Sequence, residues 1–315
     1  MSETDLPKKK TIILPFQQPL FARLCAIARG CLNVDRTTLG IKLRACFLLI
    51  GPSGGGKTFL AQALAEEMQV PYLSISVSDW VLLGTANRGG SATWPAILNF
   101  VERSKQKRGA IIYIDELDKC SHDSNWNAFL RSEIFSLCDC RVPMNINDLD
   151  GDIVSETRIE QVRHFLENKT MILAGAAFQN LWDNRTRSTM GFLQPDCTVD
   201  LPELPDLTKT LPLELINRFS SQIFILPELT EVDYRLMIET VAEQIPEIWR
   251  NRFLELGHAR ISEALRHKKG ARYPEEILLA AIVAERDSLA NFVPSPVSSE
   301  HVTKFNRNNQ ELNVF

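Results

Sequence analysis

Cys46-Phe47-Leu48-Leu49-Ile50-Gly51-Pro52-Ser53-Gly54-Gly55-Gly56-Lys57-Thr58 opens with five apolar residues and ends in a glycine-rich turn closed by lysine and threonine. A short, wholly apolar run bounded by glycine suits a strand buried on both faces, as in a parallel sheet. Beyond the turn, Leu60, Leu64 and Met68 recur every fourth position, which predicts an amphipathic helix. Strand, glycine turn and helix in that order wrap backbone N–H groups around an anion. They do so at a helix N-terminus, whose dipole favours negative charge.

Residues Gly51, Pro52, Ser53, Gly54, Gly55, Gly56, Lys57 and Thr58 match the phosphate-binding Walker A pattern in full. The chemistry expected of it is ATP bound with Mg2+: Lys57 reaches the β- and γ-phosphates, and the Thr58 hydroxyl ligates magnesium. Ile111-Ile112-Tyr113-Ile114-Asp115-Glu116 has the complementary Walker B form, a buried strand delivering two carboxylates at its C-terminal end. Ligands of open α/β sheets bind at that edge. Asp115 is expected to hold the magnesium through water, and Glu116 to act as general base toward the attacking water.

Working outward, Leu20, Leu24, Ile27 and Cys31 predict an amphipathic helix within residues 16–32. Further strands are predicted at Val70–Ser76, Ala110–Ile114, Met171–Ala174 and Gln222–Leu226. The fold class is therefore α/β, with a mostly parallel five-stranded sheet. From Pro227 onward only helical spacing recurs, as in Tyr234, Met237, Ile238 and Val241, then Ile277, Leu278, Ala281 and Ile282. Three parts are expected: an N-terminal extension over 1–44, a nucleotide-binding domain over 45–227, and a small all-helical lid over 228–315. Ser298-Ser299-Glu300 is an expected N-cap for a last helix carrying Val302 and Phe305.

The bulk composition agrees with a globular chain: 44% of the 315 residues are hydrophobic and 23% charged, with a net charge of −4. That charge argues against a surface built wholly for nucleic acid. No apolar run is long enough to span a bilayer, and no export signal stands at the start, so neither a membrane nor secretion is expected. Seven cysteines without a CxxC pair fit a reducing, cytoplasmic setting. The five histidines form no HExxH pair, and Cys138-Asp139-Cys140 lacks the second pair a metal site needs.

Asp115-Glu116-Leu117-Asp118-Lys119 resembles the Walker B segment of the AAA+ superfamily of P-loop ATPases. Leu213-Glu214-Leu215-Ile216-Asn217-Arg218-Phe219 resembles the arginine-finger segment of Clp-type ATPases. Ile172-Leu173-Ala174-Gly175-Ala176-Ala177-Phe178-Gln179 is similar to the fourth-strand segment of the ClpX and HslU unfoldases. Lys269-Gly270-Ala271-Arg272 resembles their second-sensor motif. The resemblance spans residues 46 to about 290. It implies a homo-oligomeric, hexameric ring that hydrolyses ATP and acts as a chaperone, remodelling or unfolding a protein substrate or effector. It further implies that Arg218 reaches the ATP of the neighbouring subunit and that Arg272 contacts the γ-phosphate from the lid.

Two departures bear on this resemblance. Gly175-Ala176-Ala177 stands where most AAA+ proteins place a polar first sensor, leaving Gln179 and Asn180 as the nearest polar residues. The loop over Gly84–Ser91, between Trp80 and Trp94, has glycines but no aromatic residue at its tip. Two other readings stay open: a DNA-associated ATPase such as a loader or transposition regulator, suggested by Asn87, Arg88 and the basic clusters 105–108 and 266–269, and a nucleotide-dependent switch or scaffold for a separate effector in a mobile-element or antiviral system.

Overall fold

The computed structural model describes residues 12–79, 93–120, 125–144, 146–147, 152–182, 204–219 and 223–290. The predicted loop over 84–91 and the predicted last helix after Ser298 lie outside them.

Five strands, β1 (Cys46–Ile50), β2 (Tyr72–Ser76), β3 (Ala110–Asp115), β4 (Thr170–Ala176) and β5 (Ile223–Ile225), form one sheet in the order β2-β3-β4-β1-β5. Every pairing is parallel. Each strand prediction was met, with ends shifted by one or two residues at most positions.

Alternation along the strands sorts side chains to opposite faces. Cys46, Leu48 and Ile50 join Ile112, Ile114, Ile172 and Ala174 in one core. Phe47 and Leu49 join Ile111, Tyr113, Met171 and Leu173 in another. Helices α1 (Gln18–Asn33) and α2 (Lys57–Met68) cover the second face. The first face is covered by α3 (Trp94–Ser104), α4 (Asn125–Cys138), α5 (Glu156–Lys169) and, after the short α6 (Leu204–Leu207), by α7 (Leu213–Phe219). Burial on both faces is why β1, β3 and most of β4 read as apolar runs, whereas the edge strand β2 carries two serines.

In α1 the fully buried residues are Leu24, Cys25, Ala28 and Leu32, whereas the predicted Leu20, Ile27 and Cys31 pack only in part. The buried stripe is turned from the expected one because α1 lies against α2 as well as the sheet.

After β5 the chain forms four helices, α8 (Glu231–Ala242), α9 (Glu247–Ala259), α10 (Ile261–Arg266) and α11 (Tyr273–Ala290). They share a core of Tyr234, Met237, Ile238, Phe253, Ile261, Tyr273, Ile277 and Ala281. Leu14, from the start of the described chain, is buried in the same core. Thr230 starts α8 with a capping box: its hydroxyl accepts from the Asp233 amide while Asp233 reaches back to the Thr230 amide.

Candidate nucleotide site

Because the sheet is parallel, the C-terminal ends of β1, β3 and β4 meet at one edge. The loop after β1 enters α2 through Gly54 (φ 77°) and Gly56 (φ 87°), left-handed conformations that glycine adopts without steric cost. Gly51 is required by contact instead: a Cβ there would lie 2.7 Å from that of Leu226.

Lys57, at the first turn of α2, is buried and donates to the carbonyls of Gly51 (2.8 Å) and Pro52 (3.1 Å). Burial pushes its pKa down, and the nearby Asp118 and Asp115 carboxylates offset this in part. The Thr58 hydroxyl donates to Asp115 Oδ2 at 2.6 Å. The other oxygen, Oδ1, accepts from the Glu116 amide (2.9 Å) and from the Tyr113 hydroxyl (3.2 Å). Burial first, then the Asp115 charge, raises the Tyr113 pKa, so the phenol stays protonated as a donor. Hydroxyl and carboxylate oxygens side by side form the donor set that a hard cation such as Mg2+ selects, and the residues present fit that ion.

Glu116 points elsewhere. Its backbone is left-handed (φ 59°), and its carboxylate is drawn to the end of β2. There it accepts from Ser78 Oγ (2.7 Å) and Ser76 Oγ (3.2 Å) and pairs with Lys119 at 2.6 Å. Lys119 first, then Ser78, holds its pKa below the usual carboxylate range.

Asp118 grips the opposite strand end, accepting from the amides of Ala177 (3.0 Å) and Phe178 (3.2 Å). The Trp182 indole donates to the Ala177 carbonyl at 2.7 Å. This turn brings Gln179 to the phosphate loop, where its Oε1 accepts from the Ser53 amide at 3.4 Å. Asn180 is exposed.

Two further segments close on the loop. Gln17 is fully buried and donates through Nε2 to the Gly55 carbonyl (3.1 Å), and its Oε1 accepts from the Leu14 amide. Sequence periodicity had no means of finding Gln17, since one of two adjacent glutamines between apolar stretches carries no pattern. From the turn before α11, the Ala271 amide donates to the Gly54 carbonyl at 2.8 Å. Gly270 (φ 67°) makes the approach close: a Cβ there would lie 2.6 Å from the Gly54 oxygen. Arg272 follows it and is exposed.

Arg218 lies away from this edge. Its guanidinium binds Asp139 Oδ2 through NH2 (3.0 Å) and Nε (3.3 Å), donates to the Glu214 carbonyl, and stacks over Phe135 at 4.2 Å. Asp139 is nearly buried and also pairs with Arg44 at 3.2 Å. Lys42 donates to its carbonyl, and Cys46 Sγ to that of Cys138. Arg218 therefore sits by the start of β1, about 16 Å along a five-residue strand from the phosphate loop. That exceeds the reach of one arginine side chain.

Four side chains of the basic clusters are engaged locally. Lys105 pairs with Glu102, Arg108 caps the C-terminal end of α2 at the Met68 carbonyl, Lys268 pairs with Glu228 and Lys269 with Glu276. Cys25, Cys31, Cys46, Cys120, Cys138 and Cys140 are free thiols. Among the described residues no helix is long and apolar enough to cross a membrane, and no group of three or more His, Cys, Asp or Glu could hold a metal ion.

Comparison with known proteins agrees with this geometry. Residues 47–136 match the model of the ATPase family associated with various cellular activities (AAA). An ATP-dependent zinc metalloprotease FtsH from Acaryochloris marina is 43% identical over 82 residues, 26% of this chain and 12% of that protein. The FtsH of Parabacteroides distasonis is 38% identical over 96 residues, 30% of this chain and 13% of that protein. FtsH 3 of Synechocystis is 41% identical over 87 residues, 27% of this chain and 13% of that protein. The chain thus spans only a small part of the length of the relatives it matches. Residues 47–136 thus match that family, and the five-stranded parallel sheet built around them has the P-loop AAA+ fold.

Proposed function

We propose that this chain binds ATP with Mg2+ and hydrolyses it within a hexameric ring, using the energy to remodel a protein substrate or complex. The observation that carries the reading is the contact between Thr58 and Asp115 at the mouth of a glycine loop already holding Lys57. Backbone amides at the entry to α2 and the Lys57 ammonium would bind the phosphates; Thr58 and Asp115 would hold the ion. When bound, magnesium neutralises phosphate charge and orients the γ-phosphoryl group. Glu116 turns from Ser78 and Lys119 toward the phosphates and takes the proton of the attacking water.

Arg218, out of reach of its own loop, serves the site of the next subunit, and Arg272 reaches the γ-phosphate from the lid. The lid contact between Ala271 and Gly54 ties the angle between the 45–227 and 228–315 parts to the occupancy of the loop. The substrate assignment rests on the Clp-type motifs around Gly175, Arg218 and Arg272 and on likeness to FtsH, which is by name an ATP-dependent protease. The internal pairing of the basic clusters gives DNA no added support.

Nucleotide binding and turnover separate the roles. Lys57→Ala is expected to abolish binding, whereas Glu116→Gln binds ATP and fails to turn it over; hydrolysis retained by Glu116→Gln would refute the general base. Turnover per subunit measured against protein concentration, with unfolded protein or DNA added, tests the ring and its substrate. Stimulation by DNA alone would overturn the protein reading.

A further inference from the structure

Tyr113 is the residue whose neighbourhood motif reading does not explain. It stands two positions before Asp115 on β3, so both side chains leave the same face of the strand. That face is the α2 side, where Tyr113 is fully buried between α2 and the sheet. The hydroxyl reaches Asp115 Oδ1 at 3.2 Å. Space for it exists only because β4 carries glycine beside it: a Cβ on Gly175 would lie 1.9 Å from the phenol oxygen and 2.8 Å from the ring carbon that bears it. The side-chain-free position at the end of β4 is thus filled from the neighbouring strand.

The consequence falls on the carboxylate. Its two oxygens have separate partners: Oδ2 takes the Thr58 hydroxyl, while Oδ1 takes the phenol and the Glu116 amide. A carboxylate on a strand end can rotate about χ2, and donors on one oxygen fix which lone pairs face the cation.

We infer that Tyr113 is a positioning residue of the magnesium site, its hydroxyl orienting Asp115 from behind and Gly175 providing the space it occupies. The inference rests on the nucleotide reading above and gives Gly175 a role as the partner of Tyr113.

The test is binding of mant-AMPPNP by the full chain, first in EDTA and then against rising Mg2+. Tyr113→Phe keeps the ring and removes only the donor. It is expected to match the wild type in EDTA but to need roughly tenfold more Mg2+ for half of the magnesium-dependent gain, in the range for loss of an outer-sphere partner. Gly175→Ala, which pushes the phenol aside, should shift the magnesium curve likewise, and the two changes together should shift it no further than one alone. A magnesium curve for Tyr113→Phe that overlays the wild type would overturn the inference, as would fully additive shifts. A wild-type chain that binds the analogue in neither condition would instead overturn the nucleotide reading, and the inference with it.

Discussion

Arg218 and Asp139 are joined within one chain: two guanidinium nitrogens meet the same carboxylate oxygen at 3.0 and 3.3 Å, beside the start of β1. The function proposed above has Arg218 serve a neighbouring subunit's phosphates; the fold shows where it rests in its own chain. Arg218→Ala is expected to bind nucleotide normally and to lose turnover by roughly 10³-fold or more. It should also lose about 1–3 kcal/mol of stability, less than a fully buried pair, because Arg44 still faces Asp139 and the Arg218 side chain is 24% exposed. Wild-type turnover would exclude a shared site, and chemical denaturation measures the second effect.

Lys119 and Ser78 hold the Glu116 carboxylate in its ionised form and away from Thr58. A carboxyl with a depressed folded pKa adds stability above its unfolded pKa and loses it as pH falls through the folded value. The gain is small here because the pair is largely exposed. The kinetic effect is larger. Lys119→Ala lets the Glu116 pKa rise in the free chain, so the acid limb of the kcat/KM–pH profile should move to higher pH. An unmoved acid limb would dissociate Lys119 from the base.

Contact between lid and phosphate loop depends on Gly270 and Tyr234. Gly270→Ala forces a side chain into a left-handed backbone and against Gly54, at an expected cost of about 1–2 kcal/mol. Tyr234→Phe leaves the buried Gly270 amide without its 3.0 Å acceptor, a loss of about 1–3 kcal/mol. Thermal unfolding should register both, and nucleotide affinity should fall with them. Unchanged affinity in two destabilised variants would mean the lid contact is only structural.

Gln179 is the polar side chain that the turn after β4 brings to Ser53. Gln179→Leu is expected to change stability by less than about 1 kcal/mol and to slow turnover more than it weakens ATP binding. Equal kcat and unchanged KM would remove Gln179 from the site.

The strands, the glycine turn and the helices after β5 were legible because each is a local pattern: apolar runs between glycines, a motif of fixed spacing, and helical recurrence. That Lys57, Thr58 and Asp115 gather at one end of the sheet followed from residues alone, since strand and loop order dictates their positions. Other relationships join residues remote in the chain. Gln17 meets Gly55, Asp118 meets Ala177, Arg218 meets Asp139, and Tyr113 fills the space left by Gly175. No periodicity encodes such pairs, because they arise only when strand order β2-β3-β4-β1-β5 sets distant segments side by side. Local sequence decided which residue types stand at the end of each strand; the parallel sheet decided which oxygens face one another.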